Sequence, residues 1–190
     1  MVPAILAGLD VKKIHQGVIS VLNKNDFIDL FKFAQIFKFC KSNNFSSNVL
    51  MTYSDGLNYF GKWYLQLWAE SIGKKNTGVT ALHATGTTDQ HSQLQLYLDG
   101  PKDKFFTFIK SNYKNKGLNI NSQVMKAESL DYLVDKKMGD LMHAEQDATI
   151  DTFKLNNFKF REIQLSEINE EAMGCLLYTS PSPRDGLLSR

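Results

Sequence analysis

Two segments of this chain carry side chains suited to moving protons. Gln66 and Glu70 lie four positions apart in YLQLWAESIGK, and His91 lies in GTTDQHSQLQLYLDGP, between Gly86 and Pro101. A carboxylate can take a proton from one carbon and return it to the next when its pKa lies near the working pH. Positioned donors must stabilise the enediolate that develops between the two steps. An imidazole can shuttle a further proton near neutral pH, as the opening of a sugar ring demands. A carboxylate plus an imidazole is thus the pair that an aldose–ketose isomerisation without a metal requires. Each signal alone also has a plain structural reading. Gln66 and Glu70 share a helix face by their spacing, opposite Leu57, Tyr64 and Trp68, so on spacing alone that face reads as a solvated polar one. His91 follows Asp89 and Gln90 where a strand gives way to a helix, with Thr88 or Asp89 suited to the N-cap, and alone it reads as a surface or capping-region residue.

The elements that must hold these groups are legible from hydrophobic rhythm. VPAILAGL, with Pro3 near its start, suits an N-terminal helical turn. Asp10 is an N-cap for VKKIHQGVISVLNK, where Val11, Ile14, Val18, Ile19 and Leu22 recur at helical spacing. A third helix is predicted from about Asp26 to Ser42 on the face Phe27, Leu30, Phe31, Ala34, Ile36 and Phe37. Then NVLMTY (Asn48 to Tyr53) is a short, continuous apolar run, as expected of a parallel strand covered on both faces. Helix is predicted for Gly56 to Ile72, strand for Gly78 to Ala84, helix for His91 to Leu98 and strand for Lys104 to Ile109. After a polar loop, a long helix is predicted from about Ser129 to Phe153, a fourth strand from Phe158 to Leu165, and a helix start at SEINEEAM. Alternating helices and short apolar strands imply an α/β fold: a three-layer αβα domain with a mostly parallel sheet. Ligands of such sheets bind beyond the carboxyl ends of the strands, where the loop Thr85 to Gln90 would lie.

The totals narrow the function classes. With 190 residues, 43% apolar and 22% charged, the chain is long enough for one domain with a real core and is not disordered by composition. The net charge of +2 comes from scattered lysines, so neither nucleic acid nor a membrane surface is expected as a partner. No apolar run reaches the roughly 18 residues of a membrane span, and no signal-peptide pattern precedes MVPAILAGLDVKK. Cys40 and Cys175 have no ligand spacing, and the four histidines form no HxH or HxxxH pair. No metal site and no cofactor are expected, and a cytoplasmic location is the simplest reading.

The two segments together resemble the sugar-isomerase (SIS) domain of the glucose-6-phosphate isomerase family. In that family a Gln-x-x-x-Glu pair on a helix is followed, after the next strand, by G-T-x-x-Q-H. Here these are Gln66 and Glu70, then Gly86, Thr87, Gln90 and His91. The resemblance implies that Glu70 is the catalytic isomerisation base, that His91 is catalytic in ring opening, and that Gln66 lies in the sugar-phosphate site. It implies a sugar phosphate substrate and a homodimer, since the family's His reaches the site across a dimer interface. It extends over residues 1–174, with MVPAILAGLD and MGDLMHAEQDATIDT similar to the bacterial branch. His143 is read as structural, and His15 and His83 receive no role. Lys74 and Lys75 are read as cations at a helix C-terminus.

The family also carries a Ser/Thr-rich phosphate loop, a G-G-R segment and a late helix with Lys and Gln, none of which is found here. The chain is therefore read as most of the second SIS domain, truncated at both ends, and as inactive in isolation. Residues 175–190, CLLYTSPSPRDGLLSR, resemble the translated read-through of a sequencing adapter and are expected to pack against nothing. Within the family, activity on mannose 6-phosphate or fusion to a transaldolase are variants of this reading. A non-catalytic SIS module that senses a sugar phosphate is the alternative of a different class, and it would not need Glu70 and His91 together. A cupin-type isomerase is excluded, because its clustered His/Glu metal ligands are missing.

Overall fold

A computed structural model of the chain describes residues 1–23, 35–36, 38–73, 78–121 and 128–180. Its centre is a sheet of four parallel strands: β1 (Ser47–Thr52), β2 (Thr80–Thr85), β3 (Lys104–Ser111) and β4 (Phe160–Leu165), in the order β2-β1-β3-β4. Registers run Ser47 to Thr80, Ser47 to Lys104 and Phe106 to Phe160, so β1, β2 and β3 begin at one edge and end at the other. The helices bounded within the described residues are α1 (Val2–Leu6), α2 (Val11–Asn23), α3 (Asn58–Ile72), α4 (Thr88–Asp99), α5 (Met138–Leu155) and α6 (Glu170–Thr179). Residues 35–36 and 38–42 are helical as well, and they are the described part of the helix expected over Asp26 to Ser42.

Alternation along the strands divides the core into two layers. Leu50, Phe105 and Ile109 face Phe60, Tyr64 and Trp68 of α3, Leu176 of α6, and Ile36 and Cys40. Val49, Met51, Ala84, Phe106 and Phe108 face Tyr97 of α4 and Ile150 and Phe153 of α5. The expected three-layer α/β architecture is thus present, with every strand pairing of the described sheet parallel. The chain leaves β1 toward α3 on one face and leaves β3 toward α5 on the other. This reversal places a topological switch point between β1 and β3.

Asp10 caps α2 as expected, its Oδ1 accepting from the Lys12 and Lys13 amides at 3.0 and 3.3 Å. Three expectations need correction. The long helix does not start at Ser129: Glu128–Leu133 forms a short 3-10 turn, and α5 begins at Met138. There Asp140 Oδ2 accepts from the Lys137 amide at 2.9 Å and Oδ1 from the Asn115 amide at 2.8 Å, and this double cap fixes the boundary. Second, α4 starts three residues before His91, with Thr87 as its N-cap and no side-chain cap bond, so neither Thr88 nor Asp89 caps it. Third, Cys175 to Ser180 do not lie free. They continue α6; Leu176 is buried, and Cys175 Sγ lies 3.2 Å from the Gly17 carbonyl of α2, to which it donates. The apolar face that starts at Ala172 and Met173 simply extends through Leu176. Residues 181–190, and Lys74 and Lys75, lie outside the described residues.

Candidate active site

Helix α3 is fastened to the sheet by its aromatic stripe. Phe60, Tyr64 and Trp68 recur every four residues, so one face is buried and the other is left to solvent. Asn48 Nδ2 donates to the Tyr64 hydroxyl at 3.1 Å, and Trp68 Nε1 donates to the Val79 carbonyl at 2.7 Å. Burial holds the Tyr64 phenol at about 12, so it stays protonated. At the other end of the helix, Gly61 rides against the His83 ring, where any larger residue would overlap it. These contacts set the direction of α3: it starts near the carboxyl end of β2 and finishes beside its amino end.

Gln66 and Glu70 occupy the exposed face of the last turns of α3. Gln66 Nε2 donates to Glu70 Oε1 at 3.0 Å, the geometry that i, i+4 spacing dictates. One carboxylate oxygen is thereby oriented by the amide, and the pair faces outward.

His91 lies at the opposite edge. β2 ends at Thr85, and Gly86 to Gln90 turn directly into α4, at the carboxyl edge where that loop was expected. The peptide between Gly86 and Thr87 is cis. Asp89 Oδ2 accepts from the Thr85 amide at 2.6 Å, and Gln93 Nε2 donates to Asp89 Oδ1 at 3.1 Å. His91 is exposed in the first turn of α4. Glu70 and His91 are therefore set apart by about the length of β2, roughly 17 Å over its six residues, and their helices cover opposite faces of the sheet. Within one chain the two side chains stand at opposite edges of the sheet.

Tyr53 is a residue that sequence reasoning passed over. It closes NVLMTY, lies wholly buried at the switch point, and donates from its hydroxyl to Gln90 Oε1 at 3.0 Å. Its own carbonyl accepts from the Tyr113 hydroxyl, which reaches over from the end of β3. The available signal was a phenol at the end of an apolar strand, since a buried tyrosine needs a partner for its hydroxyl.

The other histidines fit structural readings. His143 Nε2 lies 3.4 Å from Asp147 Oδ2 on α5. His83 Nε2 and Thr52 Oγ1 are 3.0 Å apart beneath α3, and burial lowers the His83 pKa below its usual 6.5. Among the described residues no cluster of His, Cys, Asp or Glu could hold a metal ion, and no helix is long and apolar enough to cross a membrane.

No family model matches the chain. Individual relatives do. A probable glucose-6-phosphate isomerase of Methanococcus maripaludis is 37% identical over 179 residues, covering 92% of this chain and 40% of the relative. The glucose-6-phosphate isomerase of Methanocaldococcus jannaschii is 40% identical over 131 residues, 69% of this chain and 32% of the relative. That of Campylobacter jejuni is 34% identical over 189 residues, 94% of this chain and 45% of the relative. In fold, the chain is similar to a hypothetical protein of Thermus thermophilus, with a TM-score of 0.82 at 24% identity over 97% of this chain and 50% of the other. A glucose-6-phosphate isomerase of Chlamydia trachomatis gives a TM-score of 0.57 at 18% identity, over 88% of this chain and 36% of the other. The curated relatives are archaeal and bacterial alike, and this chain spans less than half the length of each. Through these relatives, the chain belongs to the glucose-6-phosphate isomerase family.

Proposed function

We propose that this chain supplies the proton-transfer groups of a glucose-6-phosphate isomerase, interconverting glucose 6-phosphate and fructose 6-phosphate in glycolysis and gluconeogenesis. In this reading residues 1–174 form most of the second SIS domain of a cytoplasmic, metal-independent enzyme. Glu70 is the base that moves the proton between C2 and C1. Gln66 holds one oxygen of that carboxylate and contacts the sugar phosphate. His91 opens the ring by protonating its oxygen. The observation that carries the reading is the outward-facing Gln66–Glu70 pair, hydrogen-bonded at 3.0 Å, in a chain 37% identical to a probable isomerase. The remaining donors for the phosphate and enediolate belong to the parts of the longer relatives that lie outside the matched stretch.

The separation of Glu70 from His91 makes the reading sharper. If both serve one site, the imidazole comes from a second copy, and the working unit is a homodimer with two composite sites. The test uses a chimera in which residues 1–174 replace the aligned segment of a full-length relative. Glu70→Gln keeps size and hydrogen bonding but removes the base, so turnover falls by about 10²–10⁴-fold, and His91→Ala likewise disables cyclic substrate. Co-expression of the two disabled chains gives mixed dimers with one intact site each. With random pairing about a quarter of the wild-type turnover returns. No recovery in mixed dimers would refute the composite site, and near-normal turnover in Glu70→Gln would refute the assignment of the base.

A further inference from the structure

We infer that Tyr53 is the positioning residue for His91: its buried ring and hydroxyl fix the helix start from which that imidazole projects. The inference rests on the reading above only for the use made of His91. The placement itself follows from contacts.

Three contacts hold the start of α4 against Tyr53. The ring packs against Gly86, where a Cβ would sit 2.7 Å from Cζ and closer still to Cδ1 and Cε1. The hydroxyl donates to Gln90 Oε1 at 3.0 Å. The Thr52 carbonyl, one residue back, accepts from the Gly86 amide at 2.9 Å. Successive helical side chains are turned by about 100°, so drawing Gln90 inward sets the direction in which His91 leaves the helix. Asp89, which accepts from the Thr85 amide and from Gln93, anchors the same turn to the end of β2.

Tyr53 is itself immobilised. Its side chain is wholly buried among Val49, Met51, Ala84, Phe106 and Phe108. Its carbonyl is held by Tyr113, and Thr149 of α5 adds a contact to the hydroxyl. Burial pushes the phenol up to about 12, so it remains a donor across the whole range in which the fold is used. From Tyr53 the chain runs straight into Ser54, Asp55 and α3. One tyrosine thus ties the exit of β1 to the helix that bears the imidazole.

The test uses the 190-residue protein with 13C-labelled histidine. The readouts are the order parameter of the His91 Cε1–Hε1 bond and amide hydrogen exchange at Gln90 and His91. In Tyr53→Phe the order parameter falls, and exchange at these amides speeds up roughly two- to tenfold, the factor that one net hydrogen bond contributes. Tyr97→Phe removes a comparable hydroxyl, bonded to Gln93 on the same helix, and leaves His91 as in the parent. Gln90→Leu breaks the same bond from its half-buried α4 end while leaving Tyr53 in place, so it decides the matter even if Tyr53→Phe fails to fold. An unchanged His91 in Gln90→Leu, or equal loosening in Tyr97→Phe, overturns the inference. No turnover is measured, so the result stands apart from the isomerase reading, which the mixed dimers test.

Discussion

Gly61 offers a perturbation in which two effects of opposite sign compete. It lies within α3, where replacing glycine by alanine ordinarily stabilises a helix by about 1 kcal/mol. Here the new Cβ would lie 2.5 Å from Cε1 of His83 and closer to Nε2 and Cδ2. Carbon atoms rest about 3.5 Å apart, so the overlap is about 1 Å against the edge of a ring. That ring cannot swing away freely, because Nε2 is tied to Thr52 Oγ1 at 3.0 Å. Overpacking of this kind costs about 1–3 kcal/mol, and a rigid partner places the cost at the upper end. The clash wins: Gly61→Ala should lose about 2 kcal/mol net, lowering Tm by about 4–8 °C in a domain of this size. The decisive comparison is a double-mutant cycle by urea denaturation. In a His83→Ala background the overlap is gone, and the same Gly61→Ala change should become neutral or stabilising by up to about 1 kcal/mol. If Gly61→Ala costs the same in both backgrounds, the close approach of α3 to His83 is not what requires glycine.

Two further outcomes follow from the same geometry. Leu176→Ala should cost about 2–5 kcal/mol by equilibrium unfolding, since it empties a buried site between α6 and the sheet, and a change below about 0.5 kcal/mol would mean that this turn does not pack. Stability should fall as pH drops through about 6.5, because burial keeps His83 less basic when folded and the unfolded chain takes up the proton first; Asp89 partly offsets this and Lys62 reinforces it. Urea titrations at about pH 7.5 and 5.5, on either side of that value, should show a smaller loss in His83→Gln than in the parent, and equal losses would remove His83 from the account.

Much of the fold was legible because burial on both faces leaves a strong mark. NVLMTY and KFFTFI are continuous apolar runs, and each became a central strand of the sheet. The α3 stripe was equally clear, since Phe60, Tyr64 and Trp68 keep helical spacing. The start of α5 was not legible. Leu130 and Leu133 continue the apolar rhythm upstream, yet the chain there makes a 3-10 turn, and the break is set by Asp140 bonding two amides, one of them from a distant loop. The end of α6 was misjudged for the opposite reason. The likeness to an adapter read-through marked Cys175 to Arg190 as foreign, but an apolar residue one turn beyond Ala172 and Met173 meets the same core whatever its origin.

The candidate site divides along the same line. Gln66, Glu70 and His91 stand out as candidates through the family resemblance, because an i, i+4 pair and a glycine-led turn are local features that a solvated helix face and a surface turn share. Their relative placement is a property of topology, and the βαβ rule held the answer. A helix that connects parallel strands must run back to the edge where the next strand begins, so the end of α3 returns Glu70 to the amino edge. The residues after β2 necessarily emerge at the carboxyl edge, which is where His91 stands. A carboxylate and an imidazole carried on the two sides of one strand are thereby forced apart by that strand's length. If one site uses both, as proposed, they come from different copies, and the recovery of turnover in mixed dimers measures that requirement directly.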